Sequence, residues 1–481
     1  MASRRDLFQS YQFMVRRVVS GMVLRETDPA QDPLRRLGGA VFGGVMVTVI
    51  ALAVVGVIGV LKPGGNTSWQ DSAAVVVEEE TGARFVWLPD STGEYHLHPV
   101  TNFSSGALLT GSRSVVSVSA NSLDDVPRGP RLGIAGAPDS LPSADRVLGS
   151  PWTLCSLPAE TVSGELVPNT ALVVGQGTSR GAAIGEDGVL VRDVERGTLH
   201  LVIGGYQHPV PAVAESAVLE GLALRTEPQL SVGTAWLNAL PAGEELAPQP
   251  VAGRGAPSAA LPGAVVGEVR FVAAGAERQY YQVAVDRIVE ITEVQARLLL
   301  ADPSTGQLVY RGRPPVEAEV PPAQAAAAPR VELPAAEPTD PPAALFDTAE
   351  VDLDDPSLCA SFADAPAEDA AAAPTIALQA AVEGVDSAAV TPRAQNGVVL
   401  ADRVVVRPGW AALVESATAP GAAAGTLSLV TDEGVRYALP SREVAVALGY
   451  GAVQPVRLPA SLVARVPAGP ALDPAAAGQP G

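Results

Sequence analysis

"GGAVFGGVMVTVIALAVVGVIGVLKPGG", residues 38–65, carries no charge before Lys62. A bilayer core about 30 Å thick needs about 20 apolar residues rising 1.5 Å each. Residues 40–61 supply them, with Thr48 as one polar interruption. A secretory signal has a shorter apolar run of about 7–15 residues closed by a small-residue cleavage site. Here the run starts only at residue 40 and no A-x-A pattern follows it. The helix of a soluble core would keep a polar face, which this stretch lacks. A permanent transmembrane helix over residues 40–61 is the reading that remains.

Lysine and arginine next to a span stay on the cytoplasmic side. Arg4, Arg5, Arg16, Arg17, Arg25, Arg35 and Arg36 precede the span, and Lys62 alone follows closely. The N-terminus is therefore expected inside, with a single pass and the C-terminal body on the extracytoplasmic side of the cell inner membrane. Against four acids the arm is net +3, so a chain of net charge −20 leaves −23 beyond it. So acidic a body excludes a nucleic-acid partner, which demands a basic surface. It also disfavours contact with anionic lipid.

Within the arm, Phe8, Tyr11, Val15, Val18 and Met22 recur at three- and four-residue steps and form one helical stripe. Arg16 and Arg17 crowd the rest of that helix, and Arg35 and Arg36 end the arm. Such a helix can lie on membrane lipid or dock on a partner.

The two cysteines, Cys155 and Cys359, both fall outside by this topology. Oxidising compartments favour pairing, and closing so long a loop contributes about 4–5 kcal/mol in the chain-entropy model. The alternative is two buried free thiols.

Four stretches of the body align with one another: "RFVWLPDSTGEYHLHPVTNFSSGALL" from Arg84, "TLHLVIGGYQHPVPAVAESAVLEGL" from Thr198, "EVRFVAAGAERQYYQVAVDRIVEITEVQARLLL" from Glu268 and "TLSLVTDEGVRYALPSREVAVALG" from Thr426. Each reads as two strands about a polar or glycine turn, then a helix. Gly204-Gly205 is a two-residue hairpin turn. Thr292 and Gln295 have capping-box spacing, and Ser441 stands at a cap position. Two units share a tail, "LNALPAGEELAP" and "VARVPAGPALDP". Their uneven spacing excludes a regular solenoid.

The expected fold is α+β: an N-terminal helix and one transmembrane helix, then an elongated ectodomain of four hairpin-plus-helix lobes around a central, disulfide-linked, β-rich domain. The arm covers 1–39 and the span 40–61. The repeats cover 75–120, 197–250, 263–312 and 401–466, and the central domain 121–196 and 351–400. Residues 313–350, rich in Pro and Ala, read as an extended, largely disordered linker, and 467–481 as a disordered tail.

Catalytic signatures are absent. A P-loop needs G-x-x-x-x-G-K-[ST], and Lys62, the sole lysine, sits at the membrane edge. "VVGQGTSRGAAIGEDG" from Val173 resembles a phosphate loop only in its glycines. His96 and His98 share a strand, yet His98-Pro99-Val100 and His208-Pro209-Val210 occupy matching places in two repeats, and further zinc ligands at motif spacing are missing. No nucleophile elbow is present, and the scattered acids form no defined pair for glycan cleavage. No cofactor is expected.

"QSYQFMVRRVVSGMVLRETDPAQDPLRR" directly before a single span, then the spaced repeats, "PWTLC", "AWLNALPAGEELAP" and a second cysteine, resembles the EccB family of actinobacterial type VII (ESX) secretion systems. The resemblance covers nearly the whole chain and departs at the Pro/Ala segment around 314–346. It implies assembly with the FtsK-like ATPase EccC, the channel-like EccD, EccE and the mycosin protease, and homo-oligomers within the translocon. It also implies ATP hydrolysis, as assigned to some family members. The residues favour a structural translocon component that organises the extracytoplasmic face. The alternatives are an ATPase of non-P-loop design and a module that binds the cell wall.

Overall fold

The computed structural model describes residues 3–25, 33–61, 67–71, 73–275, 277–364, 373–417 and 425–480. They divide into two units. The first holds residues 1–72 with the pieces 78–82 and 117–126; the second holds 73–77, 83–116 and 127–481.

In the first unit, helix α1 runs Arg4–Leu24 and helix α2 Pro33–Leu61. Asp6 accepts the Ser3 N–H at 3.0 Å at the start of α1, and Arg25 closes it in the left-handed conformation. Within α2, Leu37–Val57 is long and apolar enough to cross a bilayer, and none of its most apolar window is buried by protein. The expected span ends with this helix but starts inside it. Pro33, whose fixed φ suits a first helical position, begins α2 seven residues before Ala40. Arg35 and Arg36 thus belong to the same rod as the span.

Four of the sheets share one strand order, in which a three-stranded antiparallel meander is followed by helix and then by a fourth strand beside the first. The first has strands Val75–Glu78, Arg84–Pro89, Tyr95–Pro99 and Val115–Val118 with helix Phe103–Thr110. The second has Val189–Asp193, Leu199–Ile203, Tyr206–Val210 and Gln229–Val232 with helix Glu215–Gly221. In the third, strands Val269–Ala274, Glu277–Val283, Ile288–Ile291 and Ala318–Glu319 enclose helices Glu293–Ala301 and Pro303–Leu308. The fourth has Ala411–Ala417, Thr426–Thr431, Arg436–Leu439 and Val456–Pro459 with helix Arg442–Ala447. In the second, third and fourth sheets the last strand runs parallel to the first.

In the first, second and fourth sheets the aligned stretches hold the second and third strands and the helix, whereas the third stretch holds three strands, Val269–Ala274, Glu277–Val283 and Ile288–Ile291, before its helix, one more than the sequence reading gave it; the other flanking strands were invisible to that reading. Val189–Asp193 is buried along almost its whole length and shows no alternation, and the fourth strands are at most four residues long. The second sheet consequently begins near residue 189, not 197.

Each sheet has its outer edge covered by its own returning chain. The carbonyls of Pro127, Pro241, Pro329 and Pro467 accept the N–H groups of Leu97, Gln207, Ile288 and Arg436 on the third strands. In the third sheet that returning chain is the Pro/Ala segment. The disordered-linker reading is therefore corrected: Ala318–Glu319 and Arg330–Val331 pair at opposite edges of the sheet, and helix Pro322–Ala327 between them buries Ala325. Ala328 and Val320 enter the core beside Tyr281 and Ile288. Small apolar side chains can fill a thin layer against a sheet without helical or strand periodicity, which conceals them from pattern reading.

The tail is likewise ordered. Leu472 and Ala477 are fully buried, Asp473 caps helix Pro474–Ala477, and the Gln479 carbonyl accepts the Gly133 N–H at 3.3 Å.

The remaining large sheet has six strands, in the order Arg403–Val405, Leu166–Val173, Trp152–Glu160, Leu358–Phe362, Thr375–Ala381, Arg180–Ala183. Residues 403–405, expected in the last repeat, are its edge strand. Trp152, Leu154 and Leu172 of this sheet form one core with Val191 and Trp236 from the side of the second four-stranded sheet and Val414, Val430 and Leu458 from the fourth. The Trp236 indole N–H donates to the Leu154 carbonyl at 3.1 Å, so its burial leaves no orphan donor. Val218 and Leu222 pack on Val294 and Leu298. Gly221 makes that helix crossing close: a β-carbon there would stand 2.9 Å from the Arg297 carbonyl oxygen. Ala107 and Leu108 pack in the same way with Val444 and Ala445, and with Leu472 and Ala477 of the tail.

Candidate functional site: an exposed arm, a bridged sheet and an acidic cleft

The stripe on α1 is present and uncovered: Phe8, Tyr11, Val15, Val18 and Met22 are all exposed, Tyr11 by 65% and Met22 by 81%. Leu7 and Met14 widen it beyond the five residues read from spacing, and Phe13 is exposed on the opposite face of the helix. Arg16 and Arg17 lie on the same helix, and Arg35 and Arg36 in the first turn of α2, where their side chains fall outside the described residues. Such an apolar surface flanked by guanidinium groups suits lipid or an apolar protein face, and no chemistry is concentrated on it.

Cys155 and Cys359 form a disulfide with their α-carbons 4.0 Å apart. They sit directly opposite each other on the neighbouring antiparallel strands Trp152–Glu160 and Leu358–Phe362, fully buried among Ala377 and Ala380. The bond joins strands 204 residues apart in the chain. On this sheet it locks the register of the two paired strands.

The histidine rings bond groups of the protein itself. His98 Nδ1 lies 3.0 Å from the Pro130 carbonyl oxygen and His208 Nδ1 2.9 Å from that of Glu244. Both partners directly follow the glycine of a P-x-G-x-x-L segment: Pro127, Gly129 and Leu132; Pro241, Gly243 and Leu246. A third copy, Pro467, Gly469 and Leu472, places its glycine under Tyr437 instead. The sequence comparison recognised two of these three tails. His200 bonds Thr198 and Gln207 through its two ring nitrogens. Burial holds the His200 and His208 rings below the ordinary imidazole range. Among the described residues no group of three or more His, Cys, Asp or Glu is arranged to hold a metal.

The glycine-rich segment from Val173 supplies the edge strand Arg180–Ala183, with Gly181 against Ala380. Its start, Gly175 and Gln176, lines a cleft of about 620 Å³ at the opposite edge of the six-stranded sheet. Val404, Val405, Val406 and Leu148 make the apolar wall, and Glu383, Asp432 and Glu433 the rim. Asp432 accepts the Gly409 N–H at 2.7 Å. Arg407, the cation of the lining, lies 4.8 Å above the Trp410 ring. None of these rim residues stood out in the sequence, because Glu383 lies 49 residues before the Asp432-Glu433 pair.

A family model described as "Type VII secretion system ESX-1, transport TM domain B" matches residues 1–479. The chain belongs to this family, EccB. It is a membrane component of a type VII secretion system. The relative "ESX-3 secretion system ATPase EccB3" of Mycolicibacterium smegmatis is 29% identical over 98% of this chain and 89% of its own length. "ESX-1 secretion system ATPase EccB1" of the same species is 31% identical over 64% of the chain and 63% of its own length. Among solved structures, a chain of an intact ESX-5 inner membrane complex superposes with a TM-score of 0.59, at 22% identity, over 100% of this chain and 96% of that one. An EccB3 dimer from the ESX-3 core complex gives 0.60, at 24% identity, over 84% and 100%. These likenesses show that the fold is shared across the EccB chains.

Proposed function

We propose that this EccB chain is a non-enzymatic scaffold of the secretion translocon, anchored by α2 with its N-terminus in the cytoplasm and its disulfide-bridged body outside. The observation that carries the reading is the pairing of a helix whose long apolar window is not buried by protein with a body closed by a disulfide. Disulfides persist in oxidising compartments, and arginines gather on the other side of the span. Both arguments orient the chain in the same sense. The exposed stripe of α1, with Arg16, Arg17, Arg35 and Arg36, is then the cytoplasmic handle for lipid or for other subunits. EccC, EccD, EccE and a mycosin protease are the partners implied by the family. A second copy of the chain is a further one, supported by the dimer reported for EccB3.

We read the four sheets as copies of one lobe about the six-stranded sheet. Their shared strand order and the three P-x-G-x-x-L tails support that reading. Protease added outside to intact spheroplasts tests the orientation. Digestion of the body beyond residue 73 with an N-terminal epitope left intact is expected; loss of the epitope with survival of the body would reverse the topology and sink the scaffold reading.

A second reading has one observation in its favour, the word ATPase in the relatives' names. Phosphate oxygens require converging N–H donors and cations. The 620 Å³ cleft instead offers three carboxylates and an arginine stacked on tryptophan. Hydrolysis of ATP by the purified full-length chain, abolished by a single substitution in that chain, is the result that establishes this alternative.

A further inference from the structure

In the first, second and fourth sheets a P-x-G segment closes the third strand, and the third sheet departs from that pattern. Pro329 leads its return stretch as Pro127, Pro241 and Pro467 lead theirs, but Val331 stands where the others have Gly129, Gly243 and Gly469. Opposite Val331 on the third strand is Val289, in the place of the ring that covers each of those glycines. With a β-branched residue at this position the stretch forms a true strand, Arg330–Val331, parallel to Ile288–Ile291. The cover of this sheet is therefore itself an edge.

The bonds of that strand show which residues face out. The Ile288 N–H donates to the Pro329 carbonyl at 2.8 Å, and Ile288 pairs with Arg330 and Val289 with Val331. In a parallel ladder of this register Val331 gives its N–H and C=O to the sheet, while Arg330 and Glu332 turn theirs outward. The Leu333 N–H turns back in, 3.5 Å from the Glu290 carboxylate. Among the described residues no bridge or backbone bond is made on the outer side of Arg330 and Glu332, and every residue from 330 to 337 is exposed.

The sequence of this margin is complementary to itself. Two copies of Arg330-Val331-Glu332, laid antiparallel about a twofold axis through Val331, place Arg330 of each opposite Glu332 of the other. These are the residues whose amides and carbonyls face outward, so each such pair exchanges both its N–H···O bonds and sets opposite charges side by side on one face. Val331 meets its counterpart on the other face. A slip of the register in either direction brings arginine opposite arginine or glutamate opposite glutamate, so charge selects one alignment. The ladder ends where Pro334 lacks an N–H and the Ala328 N–H is taken by the Gln324 carbonyl. Within one chain the Arg330 and Glu332 side chains stand 3.8 Å apart, a loose pair that a closer partner can replace.

We propose that this margin binds a second copy of the chain, edge to edge, through antiparallel pairing of Arg330-Val331-Glu332 with its twin. The second copy comes from the scaffold reading, on which this inference rests; the margin supplies the surface.

Disulfide trapping of the full-length chain in membranes of the producing cells, read on non-reducing gels, tests the pairing. Cys155 and Cys359 are bonded to each other, so an introduced thiol stands alone. Across the axis two Val331 α-carbons lie about 4.5 Å apart, inside the range of about 4.4–6.8 Å that a disulfide spans. Two Leu333 residues are offset by about 13 Å along the strands. Val331→Cys should therefore give a crosslinked dimer under mild oxidant, and Leu333→Cys should not. Added to Val331→Cys, either Arg330→Glu or Glu332→Arg alone should lose the product, and the two together, which restore opposite charges across the axis, should recover it. All of these positions are exposed, so the fold is expected to be retained, and an unchanged circular dichroism spectrum checks it. No dimer from Val331→Cys, equal trapping at Leu333→Cys, a product with a different protein, or no recovery in the double charge exchange would each overturn the proposal. The protease test of topology is read separately, so failure of this pairing and failure of the scaffold reading are told apart.

Discussion

Gly243 lies against the face of His208 so closely that a β-carbon at that position would overlap the imidazole ring. Gly129 bears the same relation to His98, and Gly469 to the ring of Tyr437. In each case the glycine ends the short segment that closes the outer edge of a sheet, and a planar ring on the third strand lies flat over its α-carbon. The glycine serves close approach rather than unusual dihedrals, since none of the three has a positive φ.

Replacing Gly243 with alanine is accordingly expected to destabilise the protein by about 1–3 kcal/mol, the range for overpacking a filled site. Urea unfolding followed by tryptophan fluorescence reads the loss. The same change made with His208→Ala should cost markedly less, because the clashing ring is gone, and that non-additivity identifies the contact.

Acid should weaken the second sheet. Burial keeps His208 and His200 neutral, with folded values below the ordinary one near 6.5. The unfolded chain therefore takes up protons first as pH falls. The contribution of these rings is fully present above pH 6.5 and declines on acidification toward the lower folded values. The Glu244 and Asp340 charges partly oppose the effect at His208. The urea midpoint should drop between pH 7.5 and 5.5, and by less in His208→Asn, whose amide can still donate to the Glu244 carbonyl.

Removing the bridge as Cys155→Ala/Cys359→Ala should lower stability by about 5 kcal/mol in the chain-entropy model for so long a loop. Because both sulfurs are buried, native protein should resist reductant until denaturant opens the sheet. Gel mobility after thiol labelling with and without urea distinguishes the two states.

A charge in the middle of α2 tests the anchor. Leu52 is exposed and stands inside Leu37–Val57, near the middle of the span read over residues 40–61. Arginine there costs about 2.5–3.5 kcal/mol on insertion scales, so Leu52→Arg/Val54→Arg should move a large share of the chain from the membrane pellet to the carbonate-soluble fraction.

Much of this architecture could be read from residue order alone. The apolar run at 40–61, the hairpin at Gly204-Gly205 and the capping box of Thr292 and Gln295 rest on local chemistry that short segments carry by themselves, and the pairing of the two cysteines follows from the side of the membrane on which that run places them. Gly204 and Gly205 both have positive φ between paired Ile203 and Tyr206, and Thr292 and Gln295 exchange their two bonds at 3.1 Å. Ser441 occupies its cap position without accepting a backbone N–H; its hydroxyl goes to the Glu443 carboxylate and holds that acid below its ordinary range. What escaped the sequence depends on distant partners. Val189–Asp193 is a strand because two neighbours bury it, and residues 318–331 order because a sheet edge and the Tyr281 face receive them. The acidic cleft draws on residues 148, 383 and 433, which no linear pattern joins.

The closed outer edges of the four sheets bear on life in a crowded array. Bare strand margins invite neighbouring molecules to zip together into fibres. With a proline-led return stretch on each of these margins, the protein offers no bare third strand to a passing molecule.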